Sequence, residues 1–285
     1  MKPMTDQTNA SSEHRYREPR RFAGINGLGL WTLYKREVGR FIKVGMQTLL
    51  APAVSTLLLM TVFKLAFVDR VGAGGEAIRI LNSSYEEFLA PGLIIMAILQ
   101  NAFQNSSSSL TIAKVQGSTV DFLMPPLSPL ELTMGFVAGA ATRGVVVGLI
   151  TGLAIKLFGL AELNISHLWA IVWFSLAASF ILGAIGAAGG IWADKFDHLA
   201  AVSNFVIVPL TFLSGTFYDV NTLVEPFTSL AHWDPFFYLI DGFRYGFLGE
   251  HNSNIGIGVA VTGALTVLSC GFVWWLFKSG YKLKA

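Results

Sequence analysis

The chain has 285 residues, of which 53% are hydrophobic and only 13% charged, and its net charge is +2. A soluble domain carries roughly 25% charged residues, so the composition excludes a water-surrounded globular protein and points to an integral membrane protein. Cys270 is the single cysteine, which excludes an intramolecular disulfide and a cysteine metal cluster.

Residues 1–27 form a polar tail bearing Arg15, Arg17, Arg20 and Arg21. The tail has neither an apolar core nor a small-residue cleavage site, so no cleaved signal peptide is expected. In residues 28–43, Leu30, Leu33, Tyr34, Phe41 and Ile42 share one side of a helix, opposite Lys35, Arg36, Arg40 and Lys43. This reads as an amphipathic helix lying in the membrane interface, at a depth that suits Trp31 and Tyr34. Ordinary basic flanking of the first span is the alternative.

A helix needs about 20 apolar residues to cross the hydrocarbon. Six segments qualify: 44–63, 88–109, 134–157, 168–192, 199–217 and 255–277. They predict an all-α membrane protein whose transmembrane domain covers residues 44–285. With the N-terminus inside, fourteen Lys and Arg fall on the inner side, five on the outer side, and Arg143 within the third span. The excess of inner cations places both termini inside.

Within the second span, Gln100 and Gln104, and Asn101 and Asn105, are i,i+4 pairs expected to form one polar stripe. Lipid-facing amides are costly, so the stripe faces either neighbouring helices, as hydrogen-bonding partners, or a wet path. The segment 114–129 follows. Ser118 or Thr119 is placed to cap a short helix with Asp121 near its start, and Pro125 and Pro126 end it. Phe122, Leu123 and Met124 are expected to be exposed on it. The segment is then either a partner-docking helix or a membrane-skimming connector.

The third span carries Gly135, Gly139, Gly144, Gly148 and Gly152, and the fourth Gly183, Gly186, Gly189 and Gly190. Small residues at such spacings are packing devices. Arg143 either snorkels, pairs with a carbonyl or carboxylate, or takes a direct part in function. After Pro209 and the fifth span, residues 217–250 contain no complete span. Residues 236–248 would reach only about 20 Å as a helix, too short to cross, yet they are too aromatic for a solvated loop. They read as a re-entrant or outer-leaflet helix, or as an interfacial aromatic belt. Asp241 and Arg244 are expected to form an exposed ion pair whose loss barely affects folding.

The five histidines, at 14, 167, 198, 232 and 251, are scattered, and His232, Asp234 and His251 make no convincing metal site. With no carboxylate pair in a span, a catalytic role such as lipid-linked transfer is disfavoured. None of the 18 acidic residues lies within a span, and there is no convincing inverted repeat, which weighs against an ion-coupled carrier. No phosphate loop is present, so any ATP hydrolysis must occur in another subunit.

Residues 28–285 resemble the ABC-2 family of ATP-binding-cassette transporter permeases, in particular its YadH-type bacterial inner-membrane permeases and, more distantly, its NodJ and daunorubicin-resistance permeases. The most specific segments are 238–249 (Tyr-Leu-Ile-Asp-Gly-Phe-Arg-Tyr-Gly-Phe-Leu-Gly) and 209–218 (Pro-Leu-Thr-Phe-Leu-Ser-Gly-Thr-Phe-Tyr), with 88–96 and 195–197 in support. The resemblance implies an exporter built of two permeases and two ATPases in the bacterial inner membrane. ATP and Mg would be bound by the ATPase and no cofactor by this chain; membrane lipids are partners and nucleic acid is not. It makes residues 28–43 a connecting helix. It makes 117–124 a cytoplasmic coupling helix that docks the ATPase through Gly117, Ser118, Thr119, Asp121, Phe122 and Leu123. Residues 218–250 become a pair of outer re-entrant helices, with Pro235, Tyr238, Asp241 and Arg244 at the gate. Family cargoes include drugs, lipids, lipo-oligosaccharides and polysaccharides. The lack of an aromatic ladder in the spans favours an amphipathic or lipid-like one.

Overall fold

A computed structural model describes residues 24–68, 79–80 and 83–283. The polar tail before residue 24, and Arg70 and Lys284 of the charge count, lie outside them. In chain order the elements are α1 (Gly27–Lys43), α2 (Met46–Ala66), a two-residue hairpin of β1 (Arg79–Ile80) and β2 (Ser83–Ser84), α3 (Tyr85–Val115), α4 (Val120–Leu123), α5 (Pro129–Leu157), α6 (Leu168–Trp192), α7 (Phe196–Leu213), α8 (Phe227–Trp233), α9 (Pro235–Leu248) and α10 (Ile255–Ser279). The described residues are all-α apart from the hairpin. As the hydropathy predicts, six helices among them are long and apolar enough to cross a membrane: α2, α3, α5, α6, α7 and α10.

Two helices begin earlier than their apolar runs, for the same local reason. Ser84 and Ser128 accept hydrogen bonds from the backbone N–H of Glu87 and Glu131, whose carboxylates accept from the Ser84 and Ser128 N–H in return. These capping boxes satisfy otherwise orphaned donors and start α3 at Tyr85 and α5 at Pro129, ahead of the expected 88 and 134.

The six spans are not equivalent. Of the apolar stretch of α3, 78% is buried, against 17% for α2 and α7 and 11% for α10. Thus α3 is the central helix, packed against α5 and α6, while α2, α7 and α10 keep wide faces for lipid or another chain. Close approach to α3 requires missing side chains. A Cβ at Gly186 of α6 would run into the Phe103 carbonyl and the Ser106 hydroxyl, and one at Gly144 of α5 would lie 2.8 Å from Ser179 Oγ and 3.1 Å from the Ile98 carbonyl. The glycine series on α5 serves two neighbours. Gly135 and Gly139 receive Leu33 and Glu37 of α1, whereas Gly144 and Gly148 receive α3.

At the end of the bundle that carries α4, Asp194 ties three segments together. Lys282 donates to its carboxylate at 2.7 Å and Lys114 at 3.1 Å, which holds the carboxyl below the usual range. Lys114 also donates to the carbonyls of Ile191 and Ala193 that end α6. At the opposite end, α9 is packed into the bundle against α6, α3 and α10. Gly242 admits the Phe174 ring, and Gly246 admits Ile171. No residue of α9 is exposed.

Replacing Gly186 by Leu should push α6 off α3 and cost about 3 kcal/mol, seen as a large fall in the melting temperature of the detergent-purified protein. At Gly39, where an added Cβ meets nothing within 4 Å, Ala should stabilise by about 1 kcal/mol. Equal behaviour of the two variants would overturn this packing.

Candidate functional site

A groove of ≈ 570 Å³ runs between α2, α3 and α5 at mid-bundle depth. Gln47, Thr48, Ser55 and Thr56 of α2 face Gln100, Asn101 and Gln104 of α3 and Arg143 of α5 across it. Three of the four amides expected to share a stripe therefore meet here, and Asn105 does not. Asn105 is fully buried on the other side of α3, where its side-chain oxygen accepts from Arg40 at 3.2 Å. Asn101 bridges the two helices. Its Oδ1 accepts from Arg143 Nη2 at 3.0 Å and its Nδ2 donates to the Ala97 carbonyl at 3.0 Å.

The buried side of α1 differs from the apolar side read from the sequence. Its buried face is Leu33, Glu37 and Phe41, while Ile42 and Trp31 are exposed. Glu37 has no solvent exposure. Its carboxylate accepts from Ser109 Oγ at 2.8 Å and lies 3.6 Å from Arg40 Nη2. Arg40 in turn donates to Ser108 Oγ at 3.1 Å and to the Asn105 carbonyl. Burial pushes the Glu37 carboxyl up despite the pull of Arg40 and Ser109, and burial lowers Arg40. The cue in the sequence was the four-residue spacing Leu33–Glu37–Phe41, which sets a carboxylate in line with two apolar residues.

Asn26 anchors the start of α1. It caps the helix through Gly29 N–H, its own N–H donates to the Glu131 carboxylate, and its side-chain amide donates to the Pro126 carbonyl at 3.2 Å. One residue thus ties α1 to the loop between α4 and α5. Between α3 and α4, Gly117 makes the turn with φ of 68°, and neither Ser118 nor Thr119 caps α4 with its side chain, contrary to the expectation. Asp121 is exposed. Phe122 is not. It is 2% exposed and packs edge-on to Phe136 with ring centres 5.4 Å apart. Because Phe122 points into the bundle, the exposed apolar surface of α4 and its end is Val120, Leu123 (39%) and Met124 (80%).

The expected exposed Asp241–Arg244 pair is also corrected. Both residues are buried, and they serve different partners. Asp241 accepts from the N–H of Asn252 at 2.9 Å, and from the N–H and hydroxyl of Ser253 at 2.8 and 2.6 Å, so it fixes the entry to α10. Arg244, 2% exposed, stacks on the Phe88 ring at 3.7 Å. It donates to the Phe88 carbonyl at 3.2 Å, to Gly215 at 2.8 Å and to Thr216 at 3.4 Å. Pro235 opens α9 behind the Asp234 cap, and Tyr238 is half-buried with its ring edge-on to Phe237. Pro235, Tyr238, Asp241 and Arg244 share one helix, but the two charged members act as clamps within the bundle. Among the described residues no cluster of three or more His, Cys, Asp or Glu could hold a metal ion.

The ABC-2 type transporter family model matches residues 29–248. Over 263 residues the chain is 33% identical to the inner membrane transport permease YadH of Escherichia coli K12, covering 90% of this chain and 98% of that protein. It is 26% identical over 243 residues to nodulation protein J of Rhizobium leguminosarum bv. viciae, covering 84% and 88% of the two chains. Nodulation protein J of Rhizobium meliloti strain 1021 is 23% identical over 241 residues, covering 83% and 86%. The chain belongs to the ABC-2 type transporter family and is a multi-pass membrane transport permease.

Two outcomes follow from the buried charges. Arg244→Ala leaves the acceptors of two segments without their shared donor and should cost about 3 kcal/mol or more, so the folded yield in fluorescence-detected size-exclusion chromatography should drop sharply. Arg244→Lys, which cannot fork to several carbonyls, should fall between. For Glu37, a raised folded-state pKa means that ionisation opposes folding. Its contribution is most favourable below the ordinary glutamate value of 4.5 and is lost as pH rises through the raised value. The melting temperature of Glu37→Gln minus that of the native chain should therefore increase from pH 4.5 upward. A flat difference would refute the assignment.

Proposed function

We propose that the chain is the permease subunit of an ATP-driven exporter, assembled as two permeases with two ATPase subunits, in the inner membrane of a bacterium with both termini cytoplasmic. The excess of inner-side Lys and Arg and the similarity to an inner membrane transport permease of Escherichia coli support this placement. ATP and Mg belong to the partner, since the chain has no phosphate loop. The cargo is an amphipathic, lipid-like or glycolipid or polysaccharide molecule. The groove between α2, α3 and α5 supports a path of that kind, because it sets amides beside apolar walls of Leu59, Leu93 and Met96.

The observation that carries the reading is α4. A four-residue helix stands between two long spans with its aromatic residue turned inward and Val120, Leu123 and Met124 turned out. Beside it a groove of ≈ 300 Å³ is lined by Asn26, Leu28, Arg36, Asp121 and Pro126. Apolar anchors rimmed by polar groups are what a partner protein seats on. The wide open faces of α2, α7 and α10 support contact with lipid and with a second copy.

Affinity purification of the tagged chain from its native membranes should bring down an ATPase with a phosphate loop. Replacing Leu123 and Met124 by Asp should strip the ATPase, each anchor being worth about 2 kcal/mol, while the permease stays monodisperse. Phe122→Asp should instead impair folding. Undiminished recovery of the ATPase with the double variant would overturn the docking role of α4.

A further inference from the structure

Arg143 is the middle residue of the 29-residue α5. Either helix end is about 21 Å away, beyond the reach of a snorkelling side chain. The residue is 7% exposed. Asn101 satisfies Nη2, but Nε is buried and has no hydrogen-bond partner. Among the described residues the ion pairs involve Arg36, Arg40, Lys64, Lys114 and Lys282, never Arg143. The buried carboxylate of Glu37 is engaged by Arg40 and Ser109 rather than by Arg143.

This guanidinium opens on two grooves. One is the groove between α2, α3 and α5 described above. The other, of ≈ 380 Å³, adjoins it on the same side of α3 and reaches Ser203 and Asn204 of α7. Arg143 and Gln104 line both. A buried cation without a counter-charge is costly unless an anion meets it. Charged groups at membrane depth are rare for that reason and mark substrate pathways. A forked guanidinium suits a phosphate or carboxylate.

We propose that the groove between α2, α3 and α5 is a binding site for an anionic amphipath. Its phosphate or carboxylate sits on Arg143, flanked by the amides of Gln100 and Gln104, and its hydrocarbon tail lies along Leu59, Leu93 and Met96. This narrows the cargo class and rests on the export reading for its role as cargo, though binding itself does not. An amphipathic cation is rejected by Arg143, and a free anion lacks the tail contacts.

The test is equilibrium binding of radiolabelled dodecyl phosphate to the full chain purified in a neutral maltoside detergent. Saturable binding is expected, weakened about tenfold in Arg143→Gln and partly kept in Arg143→Lys. Gln104→Glu sets a carboxylate at an exposed position beside the cation. It should produce the same loss in a protein whose fold is untouched, so the result does not depend on Arg143→Gln folding. Dodecyltrimethylammonium should not compete, and inorganic phosphate should compete only far more weakly than the alkyl phosphate. Equal binding by native, Arg143→Gln and Gln104→Glu proteins would refute the site. Competition by the cationic amphipath would do the same, and inorganic phosphate competing as well as dodecyl phosphate would refute its amphipathic character. The assay needs no ATPase. If the chain binds the probe as expected but recovers no ATPase, the export reading fails and the site stands. If it recovers an ATPase but binds the probe without regard to Arg143, only the site fails.

Discussion

A guanidinium that cannot reach water has to find its acceptors inside the protein, and Arg244 finds them on two separate segments, tying its own helix to both. Phe88 belongs to the start of α3, Gly215 and Thr216 follow the end of α7, and Arg244 itself is on α9. The approach is close: a Cβ at Gly92 would sit 2.5 Å from the Thr216 carbonyl and 3.1 Å from Arg244 Nη2. The three stretches that carry the family resemblance most visibly, 88–96, 209–218 and 238–249, thus converge on one side chain. Bonds to a charged donor in apolar surroundings are worth more than ordinary ones. This explains how a 14-residue helix too short to cross is held within the bundle rather than lying on its surface.

The same constraint organises α3. Its polar residues answer different neighbours around the helix. Asn101 meets Arg143 of α5, Asn105 and Ser109 meet Arg40 and Glu37 of α1, and Ser106 donates to the Gly183 carbonyl of α6 at 2.6 Å. Gln100 and Gln104 face the open side between α2 and α7. A helix with so many polar groups is stable at the centre because its buried amides and several of its hydroxyls meet specific partners on neighbouring helices.

Hydropathy made the number and order of the spans legible, since a run of about 20 apolar residues has few other fates. It did not give the helix starts, which were set by Ser84 with Glu87 and Ser128 with Glu131. Those pairs are legible as capping boxes three residues apart, and weighing them would have moved both boundaries. Partner choice was hidden. Asp241 and Arg244 share a helix face at i,i+3 spacing, which suggests a pair, yet Asp241 is turned to a loop twelve residues later and Arg244 to residues far away in the chain. Phe122 looked exposed because α4 is short and lies between spans; only the position of Phe136 shows it to be buried. Polar side chains within a span announce that they need partners, and tertiary structure decides which.

Placed end to end, these contacts make α1 a rigid link between the two regions assigned functional roles. At its start, Asn26 is bonded to Pro126, in the loop after α4, and to Glu131, in the first turn of α5. About three to four turns later, Glu37 and Arg40 grip Ser109 and Asn105 of α3. Asn105 is one helical turn from Asn101, which holds Arg143 at the groove. Helices are stiff and packed interfaces do not deform continuously, so a displacement of α4 relative to α3 has to be taken up at the Glu37–Arg40 seat. Glu37 Oε2, Arg40 Nε and Asn105 Nδ2 are buried there without hydrogen-bond partners within the chain. A seat with unspent hydrogen-bonding capacity can re-pair as it shifts, whereas the Arg244 clamp at the other end has its bonds distributed over two segments. Under the export reading, motion driven at α4 is therefore directed into the α1–α3 junction and the groove, while the α9 end stays fixed.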